Sequence, residues 1–391
     1  MSKSGFDRQA CLDLVQLIRL ALTGHGQLSE HPNWPKIFAM ARGHMVCALV
    51  AQSATSCGCD QETAGRFQEE QLKCLRKSLC YAEERKQLFA DFDRAGISYI
   101  PLKGIVIGPF YPVPNTREFA DHDILVRGDT EKIDEIFLSR GYVKNSSGPV
   151  HDVYLKEPFF NFEIHHTLFD KGVHDLPIFE KIWDWALPDG EGTCAYHFSE
   201  ADFYVYQLAH FQKHYFGGGA GLRSFVDFYL IDRKVPEESR PEIDQAVREA
   251  GLEDFQAFCC HTTYALFEGD PCEIGQDDLD YIASSGSYGS LEHMVRNQVA
   301  KEGKRSYLFH RIFPPNRTMK TIFPFVRAVP ILLPLGWLVR WIRAVFSPSR
   351  RRRARQEIRA LKNLAAHSRD FSHELAAFLF KASCVKSYNI I

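Results

Sequence analysis

The chain has 391 residues, of which 45% are hydrophobic and 13% aromatic, and this composition predicts a globular protein and excludes a disordered one. The net charge is −2, but residues 301–391 hold 19 Lys and Arg against 4 Asp and Glu, or +15, which leaves −17 for residues 1–300. The basic C-terminal region either packs on the acidic remainder of the chain or binds anionic lipid, nucleic acid or a polyphosphate substrate.

The first 24 residues are interrupted by Asp7, Arg8, Asp13 and Arg19 and contain no apolar leader, so we expect no signal peptide and a cytoplasmic location. The 11 cysteines indicate reduced thiols in such a compartment. Their spacing does not match a zinc motif, since the pairs at 57 and 59 and at 259 and 260 lack the usual two-residue gap. A structural zinc site is therefore not expected.

Helical periodicity dominates the first quarter of the chain. Apolar residues recur at three and four positions through residues 6–94, and residues 62–95 form one long amphipathic stretch. Gly96 predicts the end of that helix, and residues 97–102 have the pattern of a buried strand. The pattern then predicts a short helix at 105–111, a strand at 121–126, a helix at 129–140 and paired strands at 151–156 and 160–166.

Helical signals return at residues 199–215, 222–232 and 241–250. The glycine-rich residues 217–221 lack the spacing and the Lys of a Walker motif, so they indicate a turn between helices. Residues 268–290 are acidic and then rich in Gly and Ser, which indicates a linker or mobile loop. The predicted divisions are an N-terminal helical region (1–95), a catalytic core (96–176), a helical domain (177–300) and a basic helical tail (301–391).

Three acidic residues in strand-like segments form the main candidate site. Asp121 and Asp123 are separated by one residue, so their side chains point to the same face of a strand. Glu163 lies between two apolar residues of a second segment and joins the pair if the two strands are neighbours. Such carboxylates suit Mg²⁺ that carries a phosphate, because Mg²⁺ prefers oxygen ligands. The alternative is that the acids cap turns or pair with arginines.

The order of the motifs resembles that of the polymerase-β-type nucleotidyltransferase superfamily. The residues that carry this resemblance are Lys103-Gly104, Arg117, Asp121-His122-Asp123 and Phe162-Glu163-Ile164. The closer resemblance, over residues 30–345, is to a bacterial group of uncharacterised nucleotidyltransferases. It implies an α+β fold, with a small mixed β-sheet between flanking helical regions. It also implies catalysis by the three acids, which would hold Mg²⁺ or Mn²⁺.

The predicted nucleotide-binding residues are Lys103, Gly104, Arg117 and His165. Lys103 either contacts a triphosphate or forms a salt bridge with the acids. The guanidinium of Arg117 suits phosphate, but it could equally anchor a loop. His165 is either a core histidine or a site residue on the same strand face as Glu163. Arg223 and Asp227, four residues apart in a predicted helix, are expected to form a structural pair.

Two functions remain open from the sequence. The first is Mg²⁺-dependent transfer of a nucleoside monophosphate from an NTP to a hydroxyl or phosphate acceptor, which could be a small molecule, a sugar phosphate or a protein. The second is a catalytically inactive nucleotide-binding or docking module that uses its basic C-terminal segment at a membrane surface or complex. No templated nucleic acid is expected.

The basic C-terminal segment raises a separate question about membranes. Residues 328–339 carry no charge, but twelve residues are too few to span a bilayer. Trp337 and the arginines at 350–355 would suit weak contact with an anionic membrane surface. The competing interpretation is that the segment packs within the folded domain.

Overall fold

The computed structural model describes residues 7–169, 179 and 181–367. The predicted start of the first helix at residue 6, the predicted boundary between residues 176 and 177, and the last part of the basic tail lie outside these residues. The fold is α+β with a mixed sheet and flanking helices, as the sequence predicts. The chain forms two compact units, Met1–Lys213 with Ala220–Ser287 and His214–Gly219 with Tyr288–Ile391. The four-part division stays a prediction.

Helices precede the sheet, and the last of them is the longest in the described chain. α4 begins after Asp60, whose side chain accepts a hydrogen bond from the Thr63 backbone N–H. It ends at Gly96, which has the left-handed φ of 68° that favours glycine. The long helix predicted at 62–95 is therefore confirmed. The helices are α1 (Arg8–Thr23), α2 (Trp34–His44), α3 (Cys47–Ser56) and α4 (Gln61–Ala95).

The first unit contains a five-stranded sheet in the order β1-β2-β5-β4-β3. Its strands are β1 (Ser98–Pro101), β2 (His122–Arg127), β3 (Val143–Ser147), β4 (His151–Lys156) and β5 (Phe160–His165). β2 and β5 are parallel, and the other neighbours are antiparallel. A parallel pair needs a crossover, which here runs through α6 (Thr130–Ser139), β3 and β4. The crossover makes the two acid-bearing strands neighbours.

The short element between β1 and β2 is α5 (Gly104–Ile107), followed by a 3-10 turn at Gly108–Phe110. It matches the short helix predicted at 105–111 in position. β3 is not predicted by the sequence, because four of its five residues are polar, most are exposed, and they lack the apolar alternation of a half-buried strand. Its pairing with β4 gives it the strand conformation.

One face of the sheet packs against α4 and α6 and forms the core of this part of the chain. Phe162 is fully buried, with ring centroids 5.4 Å from Tyr81, 6.0 Å from Phe137 and 5.7 Å from Tyr142. Such aromatic contacts add to the free energy of hydrophobic burial. Every second residue of β2 and β5 therefore packs into the core, and the side chains between them lie on the opposite face of the sheet. We call the two sides the aromatic face and the charged face.

Helices follow the sheet along the chain, and the predictions at 199–215, 222–232 and 241–250 are confirmed. The prediction that 268–290 is a linker is wrong for residues 276–285, which form a helix whose Leu279, Tyr281 and Ile282 are buried. Its acidic first turn favours the helix N-terminus instead of disorder. The elements are α7 (Ile182–Trp185), β6 (Leu187–Pro188), β7 (Tyr196–His197), α8 (Glu200–Gly218), α9 (Leu222–Lys234), α10 (Arg240–Glu249), α11 (Glu253–Phe267) and α12 (Gln276–Ser285).

The second unit is helical over its described residues. A small apolar cluster of Met319, Phe323 and Val326 is covered by Trp337. Within the described residues no single helix is long and apolar enough to cross a membrane, although Pro330–Phe346 and Pro348–Leu364, bent by 94°, pass that test as a pair. The helices are α13 (Leu291–Glu302), α14 (Lys304–Ile312), α15 (Asn316–Ile322), α16 (Pro324–Ala328), α17 (Leu333–Phe346) and α18 (Pro348–His367).

Candidate active site

The pairing of β2 with β5 brings acidic residues together. Asp123 is opposite Glu163 in the parallel register, so both side chains lie on the charged face. Asp121 precedes β2 by one residue and is two positions from Asp123. The backbone before it is held by Lys77 of α4, whose Nζ donates to the carbonyls of Phe119 and Ala120 at 2.8 and 3.2 Å. The structure thus brings the three acids predicted from the sequence to one place.

Asp123 is the most buried of these acids and has two basic partners. Its Oδ1 lies 2.6 Å from Lys103 Nζ and 2.8 Å from His165 Nε2. Burial by itself would raise the pKa of Asp123, but attraction to Lys103 and the hydrogen bond from His165 outweigh it, and the pKa lies well below its usual range. Asp123 is therefore ionised at neutral pH. Lys103 and His165, both predicted as nucleotide-binding, are its neighbours.

The other two acids repel Asp123 and each other. Burial and the charges of Asp123 and Asp121 raise the pKa of Glu163 to about 7. Burial and the Asp123 charge also raise the pKa of Asp121, although Lys103 and Arg223 oppose the shift. Because like charges at short range disfavour ionisation, a cation between these carboxylates would stabilise their charged forms. The cluster has the electrostatics of a cation site.

Lys103 is held in an unusual backbone conformation. It follows β1, its φ is 47° and its ψ is −117°, a region that few residues other than Gly adopt. The neighbouring Leu102 N–H donates to the Asp123 carbonyl at 3.0 Å, which fixes the end of β1 against β2. The side chain carries its ammonium to Asp123 across this junction. Such strain persists only where the surrounding structure enforces it.

Gly104 and Arg117 fit closely against each other. A Cβ on Gly104 would lie 2.2 Å from Arg117 Nη1, so the side chain of any other residue would collide with the guanidinium. Arg117 donates to both carboxylate oxygens of Asp227 at 2.9 and 2.8 Å, and the Tyr111 hydroxyl donates to the same carboxylate at 2.8 Å. Arg117 thus braces the loop before the acid pair against α9. Its predicted phosphate contact stays a prediction.

The expected structural pair of Arg223 with Asp227 is wrong. Asp227 instead accepts a bidentate hydrogen bond from the Arg117 guanidinium, and Arg223 Nη1 donates to the Glu118 carbonyl at 2.8 Å. The four-residue spacing on α9 allows the pair, but a bidentate contact between two buried groups is stronger than one on a helix surface. Both arginines therefore fix the segment that leads into Asp121.

His151 is a site residue that the sequence analysis missed. β4 is antiparallel to β5 and places His151 opposite His165, on the charged face. His151 Nε2 is 3.9 Å from Glu163 Oε2, and His165 Nε2 is 3.8 Å from the same oxygen. One ligand atom from each of the three residues lies within 4.8 Å of the others. The predicted pairing of the two strands could have suggested this contact, but the register that creates it is not visible in the sequence.

The donor atoms on the charged face suit a divalent cation. Carboxylate oxygens come from Asp121, Asp123 and Glu163, and imidazole nitrogens come from His151 and His165. The Nδ1 atoms of both histidines are buried and have no hydrogen-bond partner among the described residues. Buried polar atoms normally have partners, so two unpartnered imidazole nitrogens in residues beside the acids are unusual. Oxygen donors alone would favour Mg²⁺, and the added nitrogen donors are compatible with Mn²⁺.

His122 lies between the two aspartates in sequence but on the aromatic face. Its ring centroid is 4.3 Å from Tyr81 and 4.6 Å from Phe119, and its Nδ1 is 3.2 Å from Arg85 Nη1. Burial and the Arg85 charge hold its pKa well below the usual value, so the ring is neutral. His122 belongs to the core.

On the charged face, Tyr206 of α8 is buried, and the charges of Lys103 and Asp123 act on its hydroxyl.

The mixed sheet, with an acid pair at one strand and a third acid on its parallel neighbour, is consistent with a nucleotidyltransferase-like fold. Residues 30–268 match the model of a family described as uncharacterised nucleotidyltransferase, and the chain belongs to that family. The match covers every predicted site residue, whereas residues 269–345, included in the sequence resemblance, lie beyond it. No curated protein and no solved structure matches the chain. Membership supports nucleotidyl transfer as the general function.

Proposed function

We propose that this protein transfers a nucleoside monophosphate from an NTP to a hydroxyl or phosphate acceptor, with Asp121, Asp123 and Glu163 holding Mg²⁺ or Mn²⁺. The observation that carries the proposal is the register of β2 and β5, which sets Asp123 beside Glu163 on the face that also bears Asp121. Three carboxylates on one face have no role in the core, which lies on the other face. Burying them is costly unless a cation or basic group neutralises them.

In the proposed reaction an acceptor oxygen attacks the α-phosphorus of the NTP. The new bond joins that oxygen to the α-phosphorus, the bond between the α-phosphorus and the bridging oxygen breaks, and pyrophosphate leaves with that oxygen. The bound divalent cation would supply charge neutralisation for the phosphates and lower the pKa of the acceptor hydroxyl. The protein itself supplies position and charge, which account for most catalysis of this type.

Three side chains have defined tasks in this scheme. Glu163, which lies beside Asp123 on the charged face, would accept the proton of the acceptor hydroxyl. Lys103 brings a positive charge to the strand end that carries Asp123, where it also faces the phosphate charge. His165 orients Asp123 through its hydrogen bond. The acceptor is a small molecule, a sugar phosphate or a protein side chain.

The cytoplasm is the proposed location. All ten cysteines within the described residues are free thiols, and several are buried. Free thiols persist in a reducing compartment.

The second candidate function is a nucleotide-binding module without catalysis. The observation that favours it is the pairing of Asp123 Oδ1 with both Lys103 and His165. These contacts balance the charge of this carboxylate without a metal. In that case the chain binds a nucleotide or a partner, and the divalent cation is dispensable.

Label transfer from α-labelled NTPs tests the two functions. The full chain is incubated with each NTP, with Mg²⁺ or Mn²⁺, and with either cell extract or the chain alone as the acceptor source. We expect transfer that requires the cation and falls by at least about 100-fold in Asp121→Asn, because a lost electrostatic contact to the transition state costs about that much. Binding of NTP in EDTA with no transfer in any arm would favour the module instead.

Asp152→Asn is the matched control variant. Asp152 is a buried carboxylate of the same sheet, and its partners are Lys144 at 2.9 Å, His166 at 3.3 Å and the Ser147 hydroxyl, but it projects on the aromatic side of β4. The control shows what the loss of a buried, paired acid does to the fold alone. Equal loss of transfer in both variants would reject the assignment of Asp121.

A further inference from the structure

The second unit exposes a continuous apolar stripe. Ile331, Leu335, Leu338, Ile342 and Val345 follow one another at intervals of four, three, four and three residues, which places them on one side of α17 and the turn before it. Their exposed fractions range from 46% at Leu335 to 84% at Ile331, and the adjacent Phe346 is 79% exposed. Single exposed apolar residues are common, but a contiguous patch indicates an interaction site.

The opposite side of α17 is already packed, so the helix cannot rotate to bury the stripe. Trp337 Nε1 donates to the Pro314 carbonyl at 3.0 Å, and Trp341 Nε1 donates to the Ile312 carbonyl at 2.9 Å. Gly336 is buried where a Cβ would lie 2.9 Å from a methyl group of Val326. These contacts fix the rotation of the helix about its axis. The stripe is therefore the side that the unit presents outward.

The charged residues of the segment that contains the stripe are all basic. Residues 303–356 contain 13 Lys and Arg and no Asp or Glu. The four arginines Arg350–Arg353 begin after Ser347, Pro348 and Ser349, directly beyond Phe346, and all four are exposed. The acids at either end of this segment have partners already. Glu302 is bound by His310 at 2.6 Å, and Glu357 by Arg311 at 2.6 and 2.7 Å and by Arg353 at 3.5 Å.

We propose that this surface docks on an anionic lipid bilayer, with the α17 stripe in the headgroup boundary and Arg350–Arg352 on the lipid phosphates. An amphipathic helix binds a membrane surface through buried apolar area together with attraction to anionic lipid. Each basic residue near such a surface strengthens binding by about 1 kcal/mol, or about fivefold in affinity. No site residue on the charged face takes part, so the proposal is independent of the transfer reaction.

Two other occupants fit the surface less well. A second copy would bring two acid-free basic segments together, and like charges at an interface are unfavourable. A soluble polyanion would satisfy the arginines but leave the apolar stripe in water. An anionic bilayer satisfies both features. The basic residues and the apolar stripe together therefore favour an anionic bilayer as the binding partner.

Vesicle flotation of the full-length chain tests the proposal. The vesicles are phosphatidylcholine with or without phosphatidylglycerol, at low and high salt. We expect the protein to float only with the vesicles that contain phosphatidylglycerol, and high salt to weaken binding because it screens the headgroup charge. Failure to float at low salt with those vesicles would overturn the proposal, whether or not the chain transfers nucleotides.

Two double variants separate the lipid from the other occupants. Arg350→Gln with Arg351→Gln should weaken vesicle binding about 25-fold, given about fivefold for each arginine. Ile342→Ser with Val345→Ser should weaken it at least tenfold, because the stripe no longer enters the headgroup boundary. If the serine variant binds vesicles as wild type does while the glutamine variant does not, the surface recognises polyanions and the lipid proposal fails.

Controls with matched chemistry lie elsewhere on the chain. Arg248→Gln removes an exposed arginine from α10, and Leu72→Ser with Leu79→Ser removes two exposed leucines from α4. Both should float as wild type does. Sedimentation velocity in the absence of lipid provides the remaining check. A dimer that the serine variant on α17 dissociates would show that a second copy covers the stripe, and it would overturn the proposal.

Discussion

The two faces of the five-stranded sheet come from the same strands but serve different purposes. On the aromatic face, side chains such as Phe162 and Tyr154 are fully buried against α4 and α6. On the charged face, Asp123, Glu163 and His165 occupy the alternate positions of β2 and β5. Because strand side chains alternate, one short sheet can stabilise the fold on one side and gather charges on the other. Substitutions on the aromatic face therefore test mainly stability, whereas those on the charged face test the chemistry together with the balance of buried charge.

Phe162→Ala should have the largest effect on stability. The side chain is fully buried among Tyr81, Phe137 and Tyr142, and truncating a core phenylalanine lowers the free energy of unfolding by about 3–5 kcal/mol. Denaturant unfolding followed by circular dichroism measures it. Leu138→Ala on the exposed side of α6 is the control and should change the free energy of unfolding little. A loss below about 1 kcal/mol for Phe162→Ala would contradict the role of the aromatic face.

The acids of the charged face should differ from one another in their effect on stability. Asp123→Asn leaves Lys103 buried without its counter-charge and should lower the free energy of unfolding by about 3 kcal/mol. Glu163→Gln removes a carboxylate that is repelled by its neighbours, so its melting temperature at pH 8 should equal or exceed that of wild type. Thermal unfolding without added metal compares the two. Equal destabilisation by both would show that the charged face is a structural salt-bridge network.

Ligands should stabilise the charged face jointly. An NTP and Mg²⁺ or Mn²⁺ complete each other's coordination, so together they should raise the melting temperature more than the sum of their separate effects. At 100 times its dissociation constant a ligand adds about 2.7 kcal/mol. Differential scanning fluorimetry with each component and with EDTA gives the answer. An NTP shift that is equally large in EDTA would support the metal-free module.

The smallest expected effect on stability concerns a buried acid that lies away from the charged face. Burial and Glu70 raise the pKa of Glu118 to about 7, although the Ala48 N–H donates to it at 2.9 Å. An acid with a raised folded pKa stabilises the fold below its unfolded pKa, and this contribution is lost as the pH rises from about 4.5 to about 7. Glu118→Gln keeps the acceptor oxygen and removes the charge.

We therefore expect Glu118→Gln to gain stability relative to wild type at pH 8 by about 2 kcal/mol, and to show little difference at pH 4.5. Urea unfolding at the two pH values measures the change. A variant that loses stability at pH 8 would mean that Glu118 is charged and paired in the folded state.

Several parts of the site were visible in the sequence because they depend on local rules. The spacing of Asp121 and Asp123 fixes their common face, since alternation in a strand has a period of two. The apolar neighbours of Glu163 place it in a strand for the same reason. The helix ending at Gly96 and the strand after it follow from glycine and periodicity. These predictions needed no knowledge of distant contacts.

Other parts depended on partners far apart in the chain. Asp227 lies 110 residues from Arg117, and nothing local shows that it would take that guanidinium in place of Arg223. The pairing of β3 with β4 gives strand structure to a polar segment with no strand pattern. The helix at residues 276–285 has an acidic, Gly-flanked sequence that favours a linker until its apolar side is buried.

The sequence by itself determined the α+β class, the acid pair and the family, because periodicity and motif order are properties of neighbouring residues. Only the tertiary structure decided the parallel register that joins Asp123 to Glu163, the entry of His151 through β4, and the commitment of Arg117 to Asp227. The physical reason is that register and long-range ion pairs are set by the packing of whole elements. Many pairings are compatible with the same local pattern, and the aromatic core selects one of them.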